Sequence, residues 1–161
     1  MKYFTSELLL GVNSEDKTEK RLAMEQLECN SKQYDNLFKK TQKYLSKQFL
    51  KAYLDSQSFH DCIFSGIDIQ NNNNKSYGRR KIDITLKIQR YDGICFDIIH
   101  KDVCKYSLNI SKDYWMCNEM SWGYSEIYIK ENGMIEHNLL CDLISEIDIV
   151  CKSIGVNKVK S

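Results

Sequence analysis

Between Ile82 and Ile99 apolar and polar residues alternate on either side of Asp92-Gly93, and between Trp122 and Cys141 the same alternation surrounds Asn132-Gly133. The pattern predicts two β-hairpins. Asn, Asp and Gly tolerate the positive φ that a two-residue loop demands, so both dipeptides have a physical reason to turn the chain. Upstream the period is helical. Ser14 precedes Glu15 and Asp16, placing a capping hydroxyl and two carboxylates at the positive end of a helix dipole. Leu27, Tyr34, Phe38, Thr41, Leu45 and Phe49 then recur on one helical face. Ser31 is a second candidate cap that would divide this run, and Ser46 a third, opening a short helix through Phe49, Leu50, Tyr53 and Leu54.

After Ser58 the period falls to two. Ile63, Ile67 and Ile69 predict a first strand, and Asn71 to Lys75 a polar loop. Ile82, Ile84, Leu86 and Ile88 line the dry face of a second strand, opposite Lys81, Asp83, Thr85, Lys87 and Gln89. Ile94, Phe96 and Ile98 continue that dry face. Cys104, Tyr106, Leu108 and Ile110 make a further strand, residues 111–121 a long loop, and Ile147, Ile149 and Cys151 a last strand running toward Val156. One wet and one dry face are the signature of an antiparallel sheet covered on one side. The expected fold is a single α+β domain spanning 1–161. Its helices, over about 14–55, pack on one face of an antiparallel meander of about six or seven strands over about 58–156.

Composition narrows the function classes. A chain of 161 residues can bury roughly 70% of its unfolded surface without a stabilising bridge or metal. Its 23 basic and 22 acidic residues leave a net charge of +1, so no whole-molecule field draws it to nucleic acid or anionic lipid. The absence of proline and the excess of lysine over arginine look like translation from an AT-rich bacterial genome. Glu7 and the polar Thr5-Ser6 interrupt the Leu8-Leu9-Leu10 run, and no window approaches the ~20 apolar residues of a membrane span. Seven dispersed cysteines without CxxC spacing fit reduced thiols. A cytoplasmic protein with no membrane partner is expected.

Candidate chemistry is sparse. Cys95, His100 and Cys104 have a superficial ligand look, but no second pair completes a tetrahedral site, and neither metal nor cofactor is expected. Scattered glycines form no phosphate loop, and no GxSxG elbow occurs. Lysines 39, 40, 43, 47 and 51 read as a solvated helix surface. Arg79-Arg80-Lys81 beside Tyr77 could meet phosphate, or could keep a strand edge from aggregating; nucleic acid is the weaker reading. His60-Asp61 could orient an imidazole for acid-base work, and with His137 or Glu126 would form a polar site between helices and sheet; the plainer role is to bond the start of a strand. Glu126 and Glu136 lie on facing strands of the second hairpin, where acids can share a proton or simply form a charge ladder with Lys130. Aromatic and methionine residues concentrate at Tyr114, Trp115, Met116, Met120, Trp122 and Tyr124. Such residues dominate binding hot spots, which makes Tyr114, Trp115, Trp122 and Tyr124 candidate partner contacts, with Glu119 and Glu126 as rim acids.

Met1-Lys2-Tyr3-Phe4-Thr5, Phe59-His60-Asp61 ahead of the first long strand, and Trp122-Gly123-Tyr124-Ser125-Glu126 followed by Glu136-His137 resemble a family of small proteins from low-GC Gram-positive bacteria. The resemblance spans most of the chain. Its layout is similar to that of immunity proteins that neutralise polymorphic toxins. It implies a non-enzymatic module that binds a toxin domain and occludes it, and it carries no catalytic residues. The pattern departs at Asp142-Leu143-Ile144-Ser145, where a glycine turn would be expected. The rival expectation is a small enzyme built on His60, Asp61 and His137 or Glu126.

Overall fold

The computed structural model describes residues 1–72, 81–110, 120–142 and 144–159. Three helices, α1 (Ser6–Val12), α2 (Lys17–Thr41) and α3 (Lys47–Asp55), precede the strands. These are β1 (Cys62–Asn72), β2 (Lys81–Gln89), β3 (Cys95–Val103), β4 (Lys105–Asn109), β5 (Met120–Ile129), β6 (Ile135–Cys141), β7 (Ser145–Cys151) and β8 (Ser153–Val159). The α+β class is as expected. The strand number among the described residues is eight rather than six or seven, because two long strands are bent.

The helix caps differ from expectation in an instructive way. Asp16, not Ser14, caps α2, its carboxylate accepting from the Thr18 and Glu19 amides at 2.7 and 3.0 Å. Ser14 instead accepts from the Asp16 amide and donates to Glu19. Ser31 does not divide the run, since its hydroxyl donates back to Leu27 O at 2.8 Å and α2 continues for 25 residues. Ser46 caps α3 as expected, accepting from Phe49 N at 3.1 Å. The Leu8-Leu9-Leu10 run forms α1, capped by Thr5.

All strand pairs are antiparallel, in the order β4-β7-β6-β5-β1-β2-β3-β8. The two ends of that order are not independent edges. β4 follows β3 after Cys104 alone, and β8 follows β7 after Lys152 alone. Across the bends, Cys104 N donates to Val150 O at 2.9 Å and Lys152 N to Lys101 O at 3.0 Å. Residues 95–109 therefore stay paired with 145–159 along their length, and the ladder closes on itself as a barrel. Ile84, Leu86, Ile88, Ile98, Leu139, Ile147 and Ile149 fill its interior, each fully buried, and the alternation in β2 falls on the expected faces.

β1 meets β5 at only three positions, Cys62, Ile63 and Phe64 opposite Trp122, Ser121 and Met120. Beyond them the β5 edge is met by the helices. The Ile127 amide donates to the Tyr34 hydroxyl at 2.7 Å, and Tyr53 Oη and Ser125 Oγ lie 2.8 Å apart. Phe38, Phe49, Tyr53 and Phe59 continue this contact inward to Phe96 and Trp122, with ring centroids 5.3–6.3 Å apart. A bulge between Trp122 and Tyr124 turns these neighbours to opposite faces. It needs Gly123, where a Cβ would stand 2.8 Å from Leu140 O.

Both tight hairpins form, but with three-residue loops. Arg90 N bonds Ile94 O and Gly93 N bonds Arg90 O; Lys130, Gly133 and Met134 repeat the geometry. Only the glycines take positive φ, +83° at Gly93 and +77° at Gly133, while the Asp92 and Asn132 side chains accept the Ile94 and Met134 amides. The β6–β7 turn, where glycine was expected, uses Asp142 at φ +48°, its carboxylate accepting from the Ser121 amide and hydroxyl at 2.8 Å. Gly133→Ala adds a methyl group to open space, so its cost is backbone strain alone, about 1–2 kcal/mol. Gly155→Ala, equally open but without positive φ, should leave stability unchanged or raise it. Urea unfolding of the two variants checks this, and equal effects would contradict it.

Candidate functional site

Three polar clusters surround β5, and each uses its chemistry differently. At the surface, the chain enters β1 through a left-handed stretch, with φ +49° at Gln57, +61° at Ser58 and Phe59, and +62° at Asp61. Such values strain side-chain-bearing residues. Here they put Phe59 into the core and leave His60 outside, its Nδ1 3.0 Å from the Asp61 carboxylate and its ring edge-on to Tyr124 at 4.9 Å. The Asp61 backbone amide donates to Trp122 O at 2.9 Å at the entry to β1. Asp61 is largely exposed. Tyr124 is half-buried and stacks on Phe4 at 5.0 Å; burial pushes its phenol up.

The second cluster is centred on Glu126, which is fully buried and therefore not a rim acid. Its carboxylate accepts the amides of Lys2, Tyr3 and Phe4 at 2.8, 2.7 and 2.8 Å, and the Tyr128 hydroxyl donates to it as well. Successive backbone N–H groups form an anion-holding concavity, here filled by the chain's own carboxylate. Asn30 fixes the same segment by donating to Tyr3 O at 2.7 Å. Glu126 stands opposite Asn138, and Glu136 opposite Tyr128, so the two acids do not form a shared-proton pair. Glu136 meets Lys130 at 2.9 Å, the charge ladder of the simpler expectation.

The third cluster lies inside the barrel. His100 and His137 are fully buried, and His100 Nε2 stands 2.9 Å from His137 Nδ1. His100 Nδ1 is 3.3 Å from Ile84 O. Trp122 packs beside them, its ring 5.7 Å from that of His137, and is fully buried, so it is a core residue rather than a partner anchor. Trp122 Nε1 and His137 Nε2 have no partner among the described residues. Burial holds His100 down to about 4, and burial followed by the neighbouring His100 holds His137 well below its ordinary value.

The proposed His60, Asp61 and His137 site does not assemble, because His60 and Asp61 face outward while His137 bonds His100 in the interior. The Cys95, His100 and Cys104 spacing makes no ligand set, and no metal-holding group of His, Cys, Asp or Glu exists among the described residues. Burial raises the Cys62 thiol to about 11 and those of Cys141 and Cys151 to about 12, which makes them inert packing groups. Tyr114, Trp115 and Glu119, like Tyr77, Arg79 and Arg80, lie outside the described residues. No described helix is long and apolar enough to cross a membrane.

One surface feature had no sequence signal. Leu10, Leu22 and Met24 are 51–53% exposed on the α1–α2 hairpin. Of these, Met24 lies in a groove of about 690 Å³ lined also by Val12, Lys17, Lys20, Arg21 and Leu27. Their positions read as ordinary helix surface until the tertiary arrangement shows that nothing described covers them. Comparisons with protein-family models, curated proteins and solved structures returned no match.

The buried imidazoles give stability a pH dependence of definite sign. Because the folded protein resists protonation at His100 and His137 while the unfolded chain accepts it near 6.5, stability is full above about pH 6.5 and falls below it. His100 alone should remove about 2 kcal/mol by pH 5, before most carboxylates titrate. Urea titrations from pH 7.5 to 5 measure this, and a flat profile would contradict it.

Proposed function

We propose that this chain is a non-enzymatic protein-binding module, and that its partner is a bacterial toxin domain which it occludes as an immunity protein. The observation that carries the reading is the apolar patch at the groove of the α1–α2 hairpin, where the exposed Met24 lies with Val12 and Leu27 among Lys17, Lys20 and Arg21. Exposed apolar side chains beside a groove and rimmed by charge are the usual composition of a protein-binding surface. Arg21 pairs with Glu25 and Lys32 with Glu28, whereas Lys17 and Lys20 have no ion pair among the described residues. The partner surface that fits is therefore apolar at its centre and acidic at the rim, and charge attraction would speed its docking. The resemblance to immunity proteins supplies the partner class. The internal use of His100, His137 and Glu126 supports a role that does not require exposed acid-base groups.

The test is affinity capture from the native host followed by titration of the captured partner. The proposal expects a stoichiometric partner that is a secreted-toxin domain, inhibited on binding. Met24→Asp with Lys20→Glu should weaken that binding at least about tenfold without lowering the melting temperature, as loss of a central apolar contact together with reversal of a rim charge does. A partner bound equally well by the double variant would remove the patch from the account. A purified chain that turns over a small molecule would overturn the binding-module reading.

A further inference from the structure

The buried imidazoles carry a hydrogen-bond direction that can be followed through the barrel. Ile84 O can only accept, so the ring nitrogen facing it, His100 Nδ1, must carry hydrogen. His100 Nε2 is then an acceptor, and His137 Nδ1, 2.9 Å away, must donate to it. That leaves His137 Nε2 with a lone pair, fully buried and without a donor among the described residues. Trp122 Nε1 is a donor only, also fully buried and without an acceptor among the described residues. The two rings are 5.7 Å apart. An unmatched donor and an unmatched acceptor thus sit in adjacent side chains of the same dry interior. Interiors tolerate such atoms rarely, and a single molecule that both donates and accepts resolves the pair.

We infer that the barrel interior binds one structural water between Trp122 and His137, accepting from the indole Nε1–H and donating to His137 Nε2, with both histidines in the Nδ1–H form. The water completes a polar chain from β5 through β6 and β3 to the backbone of β2. It links the opposite walls of the barrel by directed bonds where apolar packing alone would allow the walls to slip. A water about 2.8 Å from each nitrogen bridges atoms up to about 5.6 Å apart, and the two rings pack against each other without a direct bond between these nitrogens. The low proton affinity of both imidazoles agrees with a neutral chain, in which each histidine has one donor and one acceptor nitrogen.

The experiment uses the full chain labelled with nitrogen-15 and no substitution, so folding is not at issue. Long-range proton–nitrogen spectra at pH 7.5 read the tautomer of each histidine, and water-selective cross-relaxation reads the contacts of the Trp122 indole proton. The expected result is Nδ1–H at both His100 and His137, together with a cross-peak from a long-lived water to the Trp122 indole proton. Hydrogen on His137 Nε2 would overturn the inference, because that nitrogen could then not accept from the water. A nitrogen–nitrogen coupling across a direct Trp122 to His137 bond would overturn it too, as would an indole proton with no water contact.

Discussion

The pairing of residues 95–109 with 145–159 is the constraint on which the other features depend. Each segment bends once, at Cys104 and at Lys152, and a backbone bond crosses each bend to keep the partners together. Bending lets one segment pair with β2 over its first half while the other pairs with β6 over its own, so a sheet with two ends becomes a closed ring. Closure gives the wall an inside. The alternation that would give an open sheet one wet and one covered face here gives an outside and a sealed interior.

Two consequences follow for the polar residues. Inward positions that carry polar atoms, His100, His137 and Trp122, are removed from water and have to meet one another. Where β1 and β5 diverge, the exposed β5 edge would leave amides unpaired, and the helical layer meets it with Tyr34, Tyr53 and the residues held by Glu126. His100, His137 and Glu126 are thus engaged in holding the wall and its helical cover together. The described outer surface carries mixed charge and, on the α1–α2 hairpin, an apolar groove at Met24.

The elements legible in the sequence are those whose cause is local. Asp92-Gly93 and Asn132-Gly133 announce their hairpins because the turn needs that chemistry, although the same dipeptides serve two- and three-residue loops and the length is settled by pairing. Ser46 caps a helix as read, while Ser31 bonds backward to Leu27, since a serine hydroxyl suits either role and the packing of Tyr34 and Phe38 decides for a continuous helix. The site was less legible because its partners are distant in sequence. Glu126 is matched to residues 122 to 124 positions away, a separation at which an acid in a strand looks solvent-facing. Trp122 and Tyr124 look like one aromatic patch, and a single-residue bulge sends one inward and the other toward Phe4. The histidine pair is 37 residues apart and meets only because the sheet curls until β3 faces β6.

Closure of the ladder is most directly measured by native-state hydrogen exchange of the Cys104 and Lys152 amides, which cross the two bends. A closed barrel predicts that both exchange only when the whole domain unfolds, with the same opening free energy as the amides of β2 and β3. Rapid exchange at Cys104 and Lys152, with β2 and β3 still protected, would mean an open sheet with free edges and would contradict the account.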